Sequence, residues 1–209
     1  VIPCYTLFAK LKFLVGLKIY DWMAGKYRIG KSSLLSKEHV SNLIPEVRQS
    51  ELKGGIEYFD GQFDDARLAI NLAQTASQYG ATLLNYTKVT ELDKDNNGKI
   101  KGFTFIDKES DKSHTIHAKT VINATGVFVD EILTLAHPSH KPMLRTSQGV
   151  HVVVERSFLG GKSALMIPET SDGRVLFGVP WHNHLVLGTT DTPLNEHSLE
   201  PRALDSEID

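Results

Sequence analysis

The chain has 209 residues, 41% hydrophobic and 23% charged, with a formal net charge of -2. That length carries one large domain or two small ones with a proper core. The ordinary composition excludes a disordered tail, and the small negative charge argues against nucleic acid as the main partner. Cys4 is the single cysteine, which excludes an intrachain disulfide and fits a reducing compartment. The start at Val1 and the stop at ALDSEID, where a capped helix is beginning, read as cuts in a longer protein.

In chain order, YTLFAKLKFLVGLKIYDWMAG comes first. Lys10, Lys12 and Lys18 break it into runs shorter than the roughly 18–20 apolar residues of a membrane span. It reads as a helix packed on a core; the other reading is an interfacial helix whose lysines reach for headgroups. SKEHVSNLI follows as a short helix capped by Ser36, and GGIEYFDGQF as a strand. DDARLAINLAQTASQYG is the clearest helix, with Asp64 or Asp65 as cap, Leu68, Leu72, Ala73 and Ala76 at helical spacing, and Gly80 closing it.

From Ala81 to Ala124 the pattern turns to short strands, TLLNYTKVTEL, KIKGFTFID, HTIHA and KTVINA. Turns at DKDNNG and ESDKS separate them, and Asn97-Gly98 is a strong hairpin signal. VFVDEILTLA reads as a helix. After a loop rich in Pro and His come the strands QGVHVVVE, SALMIPE, RVLFGVP and HLVLGTT, with a tight turn at Asp172-Gly173. This last group predicts an antiparallel sheet with room for a ligand on one face.

Four patterns could carry chemistry. Asn123, Ala124, Thr125 and Gly126 form a turn of small residues between a strand and a helix. Backbone can approach a phosphate there, and the helix offers unpaired N–H groups and its dipole; a plain tight connection is the other reading. His151 lies in a strand whose alternation puts it on one face with Gly149, Val153 and Glu155. It is either an inert histidine at the edge of a core or a general base, since imidazole exchanges a proton near neutral pH. His182 and His184 are too few to define a zinc site, and Asn183 between them suits a turn. Gly188, Thr189, Thr190 and Asp191 read as a ligand-facing loop or as an Asp-capped turn.

Taken together, KIYDWMAG, YFDGQFDDARL, YGATLLNYTKV, AKTVINATG, SQGVHVVV, TSDGRVLFGVPW and GTTDTP resemble the FAD-dependent glycerol-3-phosphate dehydrogenases, including the membrane-associated mitochondrial type. The resemblance spreads over nearly the whole chain. It implies an α+β chain, the middle portion of a two-domain flavoprotein with a Rossmann-like FAD domain and an antiparallel-sheet substrate domain. Residues 1–80 would be a helical segment leading into the junction of the two. Residues 81–136 would be the FAD-domain β-meander with the NATG strand-turn-helix, and 137–209 the substrate-domain sheet.

The same resemblance implies FAD as cofactor, with Asn123, Ala124, Thr125 and Gly126 against its phosphate-ribose region and the Val89 backbone at the adenine. His151 would be the active-site base. It would take the proton of the secondary alcohol of glycerol 3-phosphate while the carbon-bound hydrogen leaves as hydride to the flavin, giving dihydroxyacetone phosphate. Electrons would pass to a quinone, with the protein cytoplasmic and peripheral to the inner membrane and with no metal involved. The family's GxGxxG segment and one flavin-proximal arginine are expected before Val1, and its substrate-phosphate ligands after Asp209. Val127 stands where many relatives have proline, and Gln148 where some bacterial relatives have lysine. The chain alone is therefore expected to bind FAD weakly or not at all. The alternatives are a glycerophosphate oxidase using oxygen and a non-catalytic binding module.

Overall fold

The computed structural model describes every residue except Ser171, Asp172, His197 and Asp209, so Asp172 of the expected Asp172-Gly173 turn lies outside the described residues. The elements are β1 (Ile2–Pro3), α1 (Leu7–Ala24), β2 (Ser33–Leu35), α2 (Lys37–Leu43), β3 (Gly55–Glu57), α3 (Asp65–Gln78), β4 (Thr87–Lys94), β5 (Ile100–Asp107), β6 (Ser113–His117) and α4 (Val129–Ala136). They continue as β7 (Thr146–Gln148), β8 (His151–Glu155), β9 (Leu165–Ile167), β10 (Leu176–Trp181), β11 (His184–Gly188), β12 (Thr192–Leu194) and α5 (Asp205–Ile208). Helices with antiparallel sheets make this an α+β chain. It divides into two units, one of Val1–Gln62, Ser147–Thr192 and Arg202–Asp209, the other of Phe63–Thr146 and Pro193–Pro201.

In the first unit, side-chain caps start the helices: Ala9 N donates to Thr6 Oγ1 at 3.0 Å and His39 N to Ser36 Oγ at 3.2 Å. The small sheet runs β1-β3-β2 and the larger one β8-β11-β10-β9. Val40 and Ile44 of the α2 segment are fully enclosed and pack with Leu35, Leu52, Leu159 and Leu185. Ile2, Cys4 and Ile56 form a second cluster, on which Phe13, Leu14 and Leu17 of α1 pack. The GGIEYFDGQF strand is shorter than expected: only Gly55–Glu57 finds partners, with Ile56 opposite both Ile2 and Leu34.

The packed-helix reading of α1 holds for one of its faces. Leu7, Phe8, Leu11, Val15, Ile19, Trp22 and Met23 stay exposed on it. Two of its lysines reach carbonyls of its own unit. Lys10 Nζ donates to the carbonyls of Leu35 (3.0 Å) and Lys53 (3.3 Å), and Lys18 Nζ donates to Ser32 O and pairs with Asp21 at 3.7 Å. Two of the three therefore tie the helix to its own unit. Among the described residues no helix is long and apolar enough to cross a membrane.

In the second unit, Arg67 N donates to Asp64 Oδ1 at 3.0 Å, which settles Asp64 as the cap of α3, and Gly80 leaves the helix at φ +87°. Leu68 and Leu72 of that helix are exposed. The strands β4, β5 and β6 form an antiparallel meander. Its first turn contains Asn97-Gly98 as expected, and Asp95 Oδ1 holds it by accepting from Asn97 N (2.8 Å) and Lys99 N (2.9 Å). Two expected strands differ. TLLNY stays outside β4, which begins at Thr87, and KTVINA forms no strand. A strand persists only with a ladder partner, and this sheet ends at β6.

Replacing Ile44, fully buried at the end of α2, by alanine should cost about 2–5 kcal/mol of unfolding free energy. Urea unfolding followed by tryptophan fluorescence reads this as a lowered midpoint.

Candidate functional site

His151 opens β8, the edge strand of the larger sheet, and sits directly opposite Gly188 of β11. A side chain at Gly188 would not fit, because a Cβ there would come within 2.6 Å of His151 Cδ2 and 3.0 Å of the Val150 carbonyl. The imidazole thus lies over bare backbone. It is solvent-exposed, and among the described residues its ring has no hydrogen-bond partner. The valine run after it is only partly inward. Val152 and Val153 are each 60% exposed, whereas Val154 packs on the core. An edge strand with one neighbour leaves much of its surface free.

The segment just before His151 lies against Gly188, the last residue of β11, and the loop that follows it. A Cβ on Gly149 would fall 2.0 Å from Thr189 Oγ1 and 2.4 Å from Thr190 O, so glycine is what permits the approach. Val150 N donates to Thr190 Oγ1 at 2.9 Å. That hydroxyl in turn donates to Glu207 Oε1 at 3.2 Å. Glu207 Oε2 also accepts from Gln148 Nε2 at 2.8 Å and from Leu204 N at 2.9 Å. The Leu204 amide first, then the Thr192 hydroxyl and the Gln148 and Thr190 groups, hold the Glu207 carboxyl down to about 2 against an opposing desolvation.

Beside this junction lies an open concavity of about 510 Å³, whose lining includes Gln148, Gly149, Arg174, Thr189, Thr190 and Asp191. The Arg174 backbone is pinned by Thr170, whose Oγ1 accepts from Arg174 N at 3.1 Å and donates to Arg174 O at 2.9 Å. The lining thus mixes glycines and threonines with one arginine and one aspartate. Of the two readings of Gly188–Asp191, the loop forms part of this wall, and no turn capped by Asp191 is found among the described residues.

The second unit carries Val89 and the NATG turn. Val89 lies half-buried on β4, opposite Phe105 and just before a β-bulge. Asn123 holds the turn together. Its Oδ1 accepts from Thr125 Oγ1 (2.8 Å) and Thr125 N (3.3 Å), and its Nδ2 donates to Val129 O (3.0 Å). Gly126 has φ +58° and open space where a Cβ would be. The helix does not follow the turn directly as the sequence suggests; a 3₁₀ turn, Gly126–Phe128, intervenes and α4 begins at Val129. Below it Asp130 gathers the loop rich in Pro and His, accepting from His140 Nε2 at 2.8 Å and from the Met143 and Leu144 amides. The bond from His140, with the Leu144 and Met143 amides, keeps the Asp130 carboxyl below the usual range.

His182 and Asn183 form the two-residue turn between β10 and β11, whose ends pair Trp181 with His184. Arg156 Nη1 donates to His182 O at 3.1 Å. Among the described residues no group of three or more His, Cys, Asp or Glu side chains is placed to hold a metal ion. Glu207 is the residue the sequence does not announce. It lies 59 positions from Gln148, and no spacing rule links the two.

Residues 8–208 match the family described as FAD dependent oxidoreductase, so the chain belongs to that family of redox proteins. Within it, the chain is 39% identical to the mitochondrial glycerol-3-phosphate dehydrogenase of Schizosaccharomyces pombe, over 99% of this chain and 33% of that protein. It is 36% identical to the aerobic glycerol-3-phosphate dehydrogenase of Staphylococcus epidermidis, over 93% of this chain and 35% of that one. The crystal structure of glycerol-3-phosphate dehydrogenase from Bacillus halodurans complexed with FAD superposes with a TM-score of 0.75 at 35% identity, over 84% of this chain and 35% of that one. The chain thus spans about a third of the length of these relatives.

Two outcomes follow from the geometry. Gly188→Ala should displace the His151 ring, seen as a shift of its imidazole resonances in an NMR spectrum. Glu207 has its carboxyl at about 2 in the folded chain against an ordinary 4.5. Its contribution is therefore complete above pH 4.5 and fades as pH falls toward 2. Between pH 5 and 3 the wild type should lose more stability than Glu207→Gln, measured by urea unfolding at each pH.

Proposed function

We propose that the whole protein oxidises glycerol 3-phosphate to dihydroxyacetone phosphate with bound FAD. The observation that carries this reading is the similarity, at 36–39% identity over 93–99% of this chain, to proteins bearing the name glycerol-3-phosphate dehydrogenase. Residues 81–136 belong on this reading to the FAD domain, 137–209 to the substrate-facing sheet, and 1–80 to the segment leading into their junction. The exposed apolar positions on α1 and α3 fit surfaces that the rest of a longer polypeptide covers.

The turn at Asn123–Gly126 suits the phosphate-ribose part of FAD. Ala124, Thr125 and Gly126 are exposed, and a Cβ on Gly126 would meet nothing within 4 Å. Asn123 spends its side chain on the turn itself and on the Thr125 amide, so the backbone N–H groups of Ala124 and Gly126 are what the turn leaves for the cofactor. The Val89 backbone takes the adenine end. Bound FAD supplies the two-electron acceptor. His151 takes the proton of the substrate's secondary hydroxyl, for which an exposed imidazole over bare backbone leaves room.

Relatives named mitochondrial and aerobic favour a respiratory acceptor. We take it to be a quinone, with the protein peripheral to the inner membrane that holds it. The 209-residue chain alone has no turnover on this reading.

The test is flavin reduction by glycerol 3-phosphate in the full-length protein without oxygen. The flavin should bleach, and His151→Ala should slow bleaching about 10²–10⁴-fold with FAD still bound. Failure of the wild type to bleach would sink the activity, and wild-type kinetics in the variant would remove His151 from the reaction. Hydrogen peroxide release in air, without quinone reduction, would move the acceptor to oxygen.

A further inference from the structure

We propose that Glu207 is a positioning residue: through the Thr190 hydroxyl it fixes the backbone of Val150, and so the placement of the His151 imidazole over Gly188. This rests on the reading of His151 as the base.

The direction of one hydroxyl orders the network. A threonine hydroxyl has a single hydrogen and two lone pairs. An ionised carboxylate only accepts, so Glu207 Oε1 draws the Thr190 hydrogen toward itself at 3.2 Å. The Thr190 lone pairs are then left for the Val150 amide, which donates to them at 2.9 Å. The same carboxylate accepts from Gln148 Nε2 at 2.8 Å. One anion therefore holds the segment on both sides of Gly149: Gln148 directly and Val150 through Thr190.

The need for such a hold is plain from the sheet. β8 is an edge strand paired only with β11, and His151 is its first residue. Before it, Val150 N donates to a side chain where a longer strand would use a ladder bond. Anything that frees Val150 frees the histidine beside it. Truncating the carboxylate to a methyl group removes this shared acceptor altogether, whereas an amide keeps the network, since the Thr190 hydroxyl can turn and accept from its NH₂.

The experiment uses the full-length flavoprotein and has two arms. In the first, amide hydrogen exchange over residues 148–155 is compared between wild type, Glu207→Ala, Thr190→Val and Thr190→Ser. Exchange should rise about tenfold or more in the first two variants, as expected for local release of a backbone bond, and stay at the wild-type rate in Thr190→Ser, which keeps the hydroxyl. In the second arm, the limiting rate of flavin reduction by glycerol 3-phosphate should fall about tenfold or more in Glu207→Ala, because misplacing a reacting group by an ångström is costly, with substrate affinity unchanged. The double variant Glu207→Ala/Thr190→Val should be no slower than the worse single one, since residues in one network do not add.

Wild-type exchange in Glu207→Ala, or rates that multiply in the double variant, would overturn the proposal. Should Glu207→Ala not fold, Thr190→Val against Thr190→Ser decides by exchange alone. If wild-type flavin is not reduced by glycerol 3-phosphate, the activity reading fails on its own, and the exchange arm still tells whether Glu207 fixes Val150.

Discussion

The register between β8 and β11 is the constraint on which the candidate site depends. It sets His151 opposite Gly188, the one β11 residue of that pairing with no side chain to obstruct an imidazole. A slip of one residue would turn the β8 side chains to the other face and put His151 opposite Leu187 or Thr189. The register is secured from both sides. Leu185 is buried in the core and paired with Val154, while at the other end Thr190 takes the Val150 amide. Hydrophobic burial fixes one end of the strand and a hydrogen-bond network the other.

The two candidate regions use different devices for the same purpose. In the first unit a carboxylate far along the chain, Glu207, gathers three separate segments. In the second, Asn123 and Asp130 work locally. Asn123 closes its own turn, and Asp130, a few residues on, gathers the following loop through His140, Met143 and Leu144. In both, polar side chains are spent on holding backbone in place. What remains open for a ligand is backbone at glycine or small residues, together with His151. That division is what binding a large cofactor requires, because the cofactor supplies the reactivity and the protein supplies position.

α1 shows how one helix can serve two surroundings. Phe13, Leu14 and Leu17 bury one side of it, Lys10 and Lys18 are turned onto carbonyls of the same unit, and the apolar stripe from Leu7 to Met23 is left outward. A lysine has three donors and a long stem, so it can cross a few ångströms of apolar surface to reach backbone acceptors. Two of the lysines that interrupt the apolar run in the sequence fasten the helix to its own unit.

Much was legible in the residues alone. The cap at Ser36, a cap at Asp64 or Asp65, the hairpin at Asn97-Gly98, the β8 to β11 strand pattern and a turn at Asn183 all follow from local rules, because a cap or turn is decided by atoms within a few residues of each other. Both the NATG turn and His151 also stood out as candidates there. Local pattern could not decide whether KTVINA would find a ladder partner, that a 3₁₀ turn separates Gly126 from α4, or which way the lysines of α1 point. Nor could it place Gly188 under His151 or bring Glu207 to Gln148 and Thr190. Those are matters of what lies across the sheet or arrives from another part of the chain. Only tertiary structure decides them, because a hydrogen bond or a close approach depends on distance in space, whereas the sequence orders residues along the backbone.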